Sequence, residues 1–415
     1  MANRFLRTLL SIPIVVLIFV ATFVNVKIHY SPEFKVTSAD TINCDLLREL
    51  RGLKDAMLSH ADIEMQNVYP EGFVFLNALY GLAWCNFIVN PRNDPNKYFN
   101  EGHHEIQNAW GKINSDIGRA PFREELPLAY GAFYTGWSTY LLGKKLSIEK
   151  KEVRDANEIA LFKQQCERIN AAIAYKTYPL SYDGGAWPAD AVVCIATLSL
   201  HDRLLPSKYA ASIKIWINKV KTTLDPHGLI PHAVNSVNDE PTEAARGSSQ
   251  SLMLIFLKDI DSEFAQEQFK IYKTNFLDDR FGLPGIREYF KGEHGVGDID
   301  SGPVIFQLGS AATIVGMKTM GLYHEQSTAI EIRNMLEGFG FPMENQGNKT
   351  YLFGLMPMAD VFIAWGHSTL GISQTKTDFR WFHIYSLVLI LILSSMLWLL
   401  LRHSLARSQP GQIKS

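Results

Sequence analysis

The sequence predicts an all-α protein: an (α/α)6 six-hairpin toroid flanked by two single transmembrane helices. Three observations predict it: an uncharged apolar segment near each end, a long-period repeat between them, and in every repeat one helix apolar on nearly all sides. Starts of the apolar helices fall at Pro70, Pro127, Pro188, Arg246, Gly302 and Pro357, with intervals of 57, 61, 58, 56 and 55. A near-constant period marks a repeat architecture. Each unit reads as an amphipathic helix, a loop and an apolar helix. A helix apolar all round has to be buried, so six such helices inside six half-exposed ones form a closed ring. An open solenoid is the alternative, and small residues (Gly81, Gly131, Gly309, Ala311, Ala312) favour tight packing about an axis.

Near the two ends, Leu9 to Val26 and Ile384 to Leu401 carry no charged residue over 18 positions each, close to the lower limit for a membrane span. Residues 1–8 are read as a cytoplasmic N-terminus, 9–27 as a span and 28–41 as a linker. Residues 42–372 form the toroid domain, 373–381 a second linker, 382–401 a span and 402–415 a cytoplasmic tail. Arg4 and Arg7 precede the first span, and Arg402, Arg407 and Lys414 follow the second. The positive-inside rule then puts both termini in the cytoplasm and the main domain on the periplasmic or lumenal side of the cell membrane. Lys27 opposes this orientation, and a cleaved signal peptide is the other reading of the first segment. In a lumen, Asn348-Lys349-Thr350 is a glycosylation acceptor.

Within the domain, helical periodicity runs from Ile42 to about Met65, then Phe73 to Val89, Tyr98 to Ile113, Leu128 to Leu142, Glu149 to Ala174 and Ala191 to Leu200. Ser207 to Thr223, Ala244 to Leu257, Ser262 to Phe276, Pro303 to Met320, Glu325 to Leu336 and Met358 to Thr369 complete it. Loops from inner to next outer helix are short, as at Leu205-Pro206. Those from outer to inner helix are long, hold most of the glycine, histidine and paired acids, and in a toroid all open on one face. Long polar loops on one end of a rigid scaffold are where function usually resides.

Net charge is −2 at pH 7, which argues against a nucleic-acid partner. There is no phosphate-binding GxxxxGK[ST], no dinucleotide glycine pattern and no GxSxG, so nucleotide hydrolysis, NAD redox and serine-hydrolase chemistry are disfavoured. No cofactor is expected. Cys44, Cys85, Cys166 and Cys194 show no metal or disulfide spacing. The roles of Cys85 and Cys194 stay open.

The richest loop is Gly292 to Pro303. Asp298 and Asp300 stand two apart, so in extended backbone they face the same way. Each other's charge is suited to raising one pKa for acid/base work. Glu71, at the mouth of the first apolar helix, and Asp183, at the third, are their candidate catalytic partners. Capping the following helix is the competing reading for these acids. Tyr69, Tyr182, Trp187, Asp190, His227, His232, Arg246 and His294 are candidate substrate contacts. Tyr182, Trp187 and Tyr289 suit an aromatic platform. Arg246 suits a carboxylate or phosphate, or else an ion pair with Glu243. The three loop histidines lack metal-ligand spacing, and no metal is expected.

Tyr69-Pro70-Glu71-Gly72, Asp183-Gly184-Gly185-Ala186-Trp187-Pro188 and Asp298-Ile299-Asp300-Ser301-Gly302-Pro303 resemble segments of the linalool dehydratase/isomerase-type proteins within the six-hairpin toroid superfamily, over roughly Ile42 to Thr369. That resemblance implies acid/base dehydration and isomerisation of terpene alcohols, with cysteines involved. The cysteine-bearing motifs find no residue-by-residue match here. The expectation is therefore a membrane-anchored acid/base enzyme, a lyase or isomerase on a terpenoid alcohol or a glycosidase-like enzyme on glycans or glycolipids. A non-catalytic glycan-, lipid- or peptide-binding module of a membrane complex is the alternative. Oligomeric state is not legible.

Overall fold

In a computed structural model, residues 2–36, 41–89, 95–371 and 375–405 are described. The helices are, in order, α1 (Ala2–Lys27), α2 (Cys44–Leu58), α3 (Ala61–Val68), α4 (Gly72–Val89), α5 (Pro95–Ile113), α6 (Asp116–Arg119), α7 (Gly131–Ile148) and α8 (Ala156–Tyr175). They continue with α9 (Pro188–Leu204), α10 (Ala210–Val220), α11 (Gly247–Ile260), α12 (Ser262–Phe276), α13 (Ser310–Leu322), α14 (Gln326–Phe339), α15 (Pro357–His367) and α16 (Arg380–Leu405). Strand structure among the described residues is confined to short two-stranded antiparallel hairpins in the connections. The protein is thus mainly α-helical. Of the predicted tails and linkers, residues 1, 37–40, 372–374 and 406–415 lie outside the described residues, and with them Arg407 and Lys414.

The six predicted apolar helices are α4, α7, α9, α11, α13 and α15. Each touches the next in that order, and α15 returns to α4. The amphipathic helices pack outside them, as α5 does on α4, α8 on α7 and α9, and α14 on α13. Aromatic side chains fill the middle. Trp137 of α7 meets Phe256 of α11 at 5.5 Å and Trp365 of α15 at 6.5 Å between ring centres, and Phe75 of α4 meets Trp137 at 5.1 Å. Trp137 is fully buried, and burial of one such large side chain contributes roughly 1.5–3 kcal/mol. Because alternate inner helices meet across this plug, any reaction space lies at an end of the bundle rather than along its axis.

Three boundaries differ most from the periodicity. One is the helix expected from Glu149, which starts at Ala156 because Glu149 ends α7 and a 3-10 turn over Lys151–Val153 intervenes before the Asp155 cap. The predicted helix from Ile42 to Met65 breaks where His60 takes a left-handed conformation (φ 68°). The turn redirects α3, so that buried Asp62 accepts from Lys112 at 2.8 Å and from Asn77 at 3.2 Å. The helix expected at Pro303 starts seven residues later, at Ser310. Val304–Ile305 and Leu308–Gly309 pair as a tight hairpin with Phe306 and Gln307 at positive φ (51° and 74°), the backbone a two-residue hairpin turn demands.

Gly131 is required where it stands. Its φ is +80°, and a Cβ would lie 2.0 Å from the Ser181 carbonyl oxygen, at the point where Ala132 N–H donates to the Leu180 carbonyl at 2.8 Å. This contact locks the second loop to the third. Gly131→Ala is expected to cost about 1–3 kcal/mol, read as a lower thermal midpoint by circular dichroism.

Three helices are long and apolar enough to cross a membrane: Leu9–Lys27, Gly72–Val89 and Arg380–Arg402. The middle one is α4, which is 83% buried inside the bundle; its composition serves the core. The other two are 11% buried and present residues such as Phe19, Val26, Leu391 and Trp398 outward. They pack against each other, and α1 also packs on α14. Asn25 ties them together through His383 at 2.7 Å and Ser386 at 2.9 Å. Helices of this kind mark a membrane protein.

Candidate acid/base site

Glu71, from the first repeat unit, acts electrostatically on Asp190 of the third and on Asp300 of the fifth. Glu71 ends the first connection and is buried immediately ahead of α4; Asp190 lies in the first turn of α9; Asp300 stands in the loop before α13 and is open to solvent on one side. Burial, with the nearby Glu71 charge, pushes the Asp190 carboxyl up to about 7 against one hydrogen bond with Ser181. Burial, Glu71 and Asp298 push Asp300 up to about 6 against the pull of Arg246. A buried carboxyl next to another carboxylate, as Asp190 is, resists ionisation for both reasons; Asp300 is exposed, so loss of water weighs less there than at Asp190. The ionisation of Tyr182 is driven upward by burial and by the nearby Glu71, Asp190 and Asp300. Tyr69 is pushed up likewise by burial, Asp300 and Glu71. Three acids and two phenols therefore share one electrostatic neighbourhood.

The fourth and fifth connections are clasped beside it. Arg246, the residue before α11, forms ion pairs with both Glu243 and Asp298, and its guanidinium lies 5.7 Å from the Tyr289 ring centre. Asp298 also accepts from Ser301 N–H at 2.9 Å. Against its burial, these bonds and the arginine charge hold Asp298 down at about 2. The two aspartates of one loop are thus driven apart, one kept ionised and one poised near neutrality, a pattern that separates acid and base roles. His232 is pushed down to about 4 by burial and Arg246, so it is neutral near pH 7. Its Nδ1 lies 2.5 Å from Ser249 Oγ.

The other predicted contacts are placed elsewhere or otherwise engaged. Asp183 is exposed and pairs with Arg123 at 2.8 Å. Tyr182 and Trp187 stack on each other at 4.8 Å and brace the third loop. His227 stacks on Phe290 at 3.7 Å and bonds Glu293 at 3.0 Å. His294 is exposed. The three histidines do not converge.

Glu288 had no local sequence signal. Its buried carboxyl is pushed up to about 7 by burial, opposed by a hydrogen bond that Ser248 Oγ donates at 2.7 Å. It follows the short strand Leu283–Ile286, and only the hairpin register buries it beneath α11. The cysteines are free, and burial pushes the Cys85 thiol up to about 12 and raises Cys166 and Cys194 too, which disfavours the reactive thiolate.

A second buried polar cluster lies where the last unit meets the first. Glu49 of α2, Glu337 of α14 and His367 of α15 bring candidate metal-ligand atoms within 4.8 Å of one another. Lys349 supplies the cation there, 2.7 Å from Glu337 and 4.0 Å from Glu49. Tyr351 O–H reaches both carboxylates, at 2.8 and 2.7 Å, and His367 Nδ1 bonds Glu49 at 2.8 Å. The predicted glycosylation acceptor Asn348 directs its amide to Asp55 of α2 in the same seam. No protein-family model and no curated protein matches this chain.

Proposed function

We propose that the protein is a two-pass membrane enzyme whose domain is an (α/α)6 toroid, with carboxylate acid/base chemistry at the toroid mouth. The cyclic contacts of the six inner helices support the toroid, and the outward apolar faces of α1 and α16 support the two spans. Flanking Arg4, Arg7 and Arg402 support cytoplasmic termini with the domain on the far side. The observation that carries the chemistry is the electrostatic coupling of Glu71 to both Asp190 and Asp300, with Asp190 near 7 and Asp300 near 6.

The reaction this supports is loss of water from, or a double-bond shift in, a hydroxyl-bearing substrate, as in the linalool dehydratase/isomerase-type proteins that the loop segments resemble. Asp190 donates its proton to the departing hydroxyl as the C–O bond breaks, and water leaves. Asp300 takes a proton from the adjacent carbon as the new double bond forms. Glu71 maintains the acid through its charge, and Tyr182 and Tyr69 orient the hydroxyl. The same pair serves glycoside cleavage, but the Tyr182 and Trp187 rings cover each other rather than a sugar face, which favours the apolar alcohol.

The test is a pH–rate profile of the detergent-purified full-length protein with a tertiary terpene alcohol, product being followed by gas chromatography. Ionised Asp300 is lost as pH falls through about 6, and protonated Asp190 is lost as pH rises through about 7. A narrow optimum between those values is expected; a flat profile from 5 to 8 defeats the assignment. The binding-module reading draws on the ion pairs that neutralise Asp298 and Asp183. It gains if the alcohol binds and no turnover occurs at any pH.

A further inference from the structure

Between the two spanning helices and the loops of the mouth lies an apolar groove of about 720 Å³. Ligand sites typically occupy about 300–1,000 Å³. Val20 and Val24 of α1 and Phe382 and Leu389 of α16 make one wall, and Leu308 and Ile314 of the domain make part of the other. We propose that this groove holds a hydrocarbon chain of a membrane lipid, whose polar end reaches the acidic mouth. The inference rests on the acid/base reading in naming that site as the destination, and it adds that substrate enters sideways from the bilayer.

Two features identify the occupant. The outer wall is built from the two helices whose remaining surface is apolar and exposed, so the medium at the groove's open side is lipid hydrocarbon. A groove with this lining has no favourable filling by water. Apolar side chains also stand exposed on the neighbouring loops, with Val296, Ile299 and Phe306 at 88%, 64% and 63%. Rings connect those loops to the spans: Phe353 stacks on Phe341 at 6.0 Å and Phe341 on Phe23 of α1 at 5.3 Å, while Phe281 joins Phe306 at 5.1 Å to Tyr385 of α16 at 6.2 Å. Exposed apolar loops beside spanning helices belong at a membrane interface.

The inner end of the groove lies against the loop that carries Asp300. Pro303, Gly309 and Ser310 line it, and Ser310 Oγ donates to the Ser301 carbonyl at 3.3 Å, one residue from Asp300. A side chain added at Gly309 would lie 2.7 Å from Glu288 Oε2. A chain lying in the groove therefore ends beside the loop that presents the acid.

The experiment uses the full-length protein in phosphatidylcholine vesicles containing a phosphatidylcholine with a diazirine near the end of one acyl chain. After irradiation, labelled peptides are mapped by mass spectrometry. Label is expected to concentrate on residues 303–314 and 335–339, above the level on the outward face at Leu391 and Ile392. Ala21→Trp fills the groove from α1, and Ile314→Trp fills it from α13. Each is expected to cut the groove label at least about five-fold, roughly 1 kcal/mol of occupancy, with the outward label unchanged. Equal labelling of groove and outward face, or groove label unaffected by both tryptophans, overturns the proposal. Asp300→Asn separates the two readings. Lost turnover with groove labelling retained supports both, and retained turnover with labelling retained removes the acid role alone. Absent groove labelling with turnover lost in Asp300→Asn removes the groove alone.

Discussion

Asp190→Asn is expected to lower turnover by about 10²–10⁴-fold, the usual worth of a positioned general acid, while making the protein more stable at alkaline pH. The two effects share one cause. The unfolded chain ionises Asp190 near the ordinary aspartate value, whereas the folded protein holds the proton up to about 7. As pH rises from about 4 through 7, the unfolded state gains first from ionisation, and folding loses stability over that window. The loss is on the order of 4 kcal/mol from the size of that displacement, and asparagine removes it. Thermal unfolding at pH 5 and pH 8, with kcat beside it, checks the pair. A gain in midpoint that is much larger at pH 8 than at pH 5, with kcat lost, identifies a strained functional acid. Equal destabilisation at both pH values identifies a helix-capping residue instead.

Lys349→Met is expected to destabilise the folded domain by about 3–5 kcal/mol, the range for removing one partner of a buried ion pair. Burial works against the Lys349 charge, but Glu49, Glu337 and Asp45 outweigh it and keep the ammonium above the ordinary lysine value. Methionine fills similar space and leaves Glu337, fully buried, facing Glu49 without a cation. Because this network joins α2 to α14 and α15, its loss opens the bundle where the two ends of the domain meet. Chemical unfolding in detergent, with Glu337→Gln/Lys349→Met as the comparison, measures it. Recovery of stability in the double variant shows that the stranded carboxylate, rather than lost packing, carries the cost.

The apolar helices and the loops before them were legible because each depends on local pattern. A run such as Phe73 to Val89 has no polar face, so it had to enter a core, and α4 lies within one residue of that run. The same composition made α4 indistinguishable from a membrane span, since hydropathy records the desire to leave water and not the place found. The seven-residue error at Pro303 has a similar origin: proline and glycine announce a turn, and only the pairing of Val304–Ile305 with Leu308–Gly309 shows its type.

The sequence by itself determined that this chain is mainly helical, that apolar helices stand near both ends, and that Glu71 and Asp190 sit where apolar helices begin. Tertiary structure alone decided which acids share a neighbourhood. Asp183 and Asp190 are seven residues apart, one in the connection and one in the first turn of α9, yet the first pairs with Arg123 and the second is buried near Glu71. Asp298 and Asp300 look alike in the loop, but Arg246 from another connection keeps one ionised while burial and Glu71 raise the other. A carboxyl's proton affinity depends on charges and solvent within a few ångströms. Those neighbours come from chain segments more than fifty residues away, which no local pattern encodes.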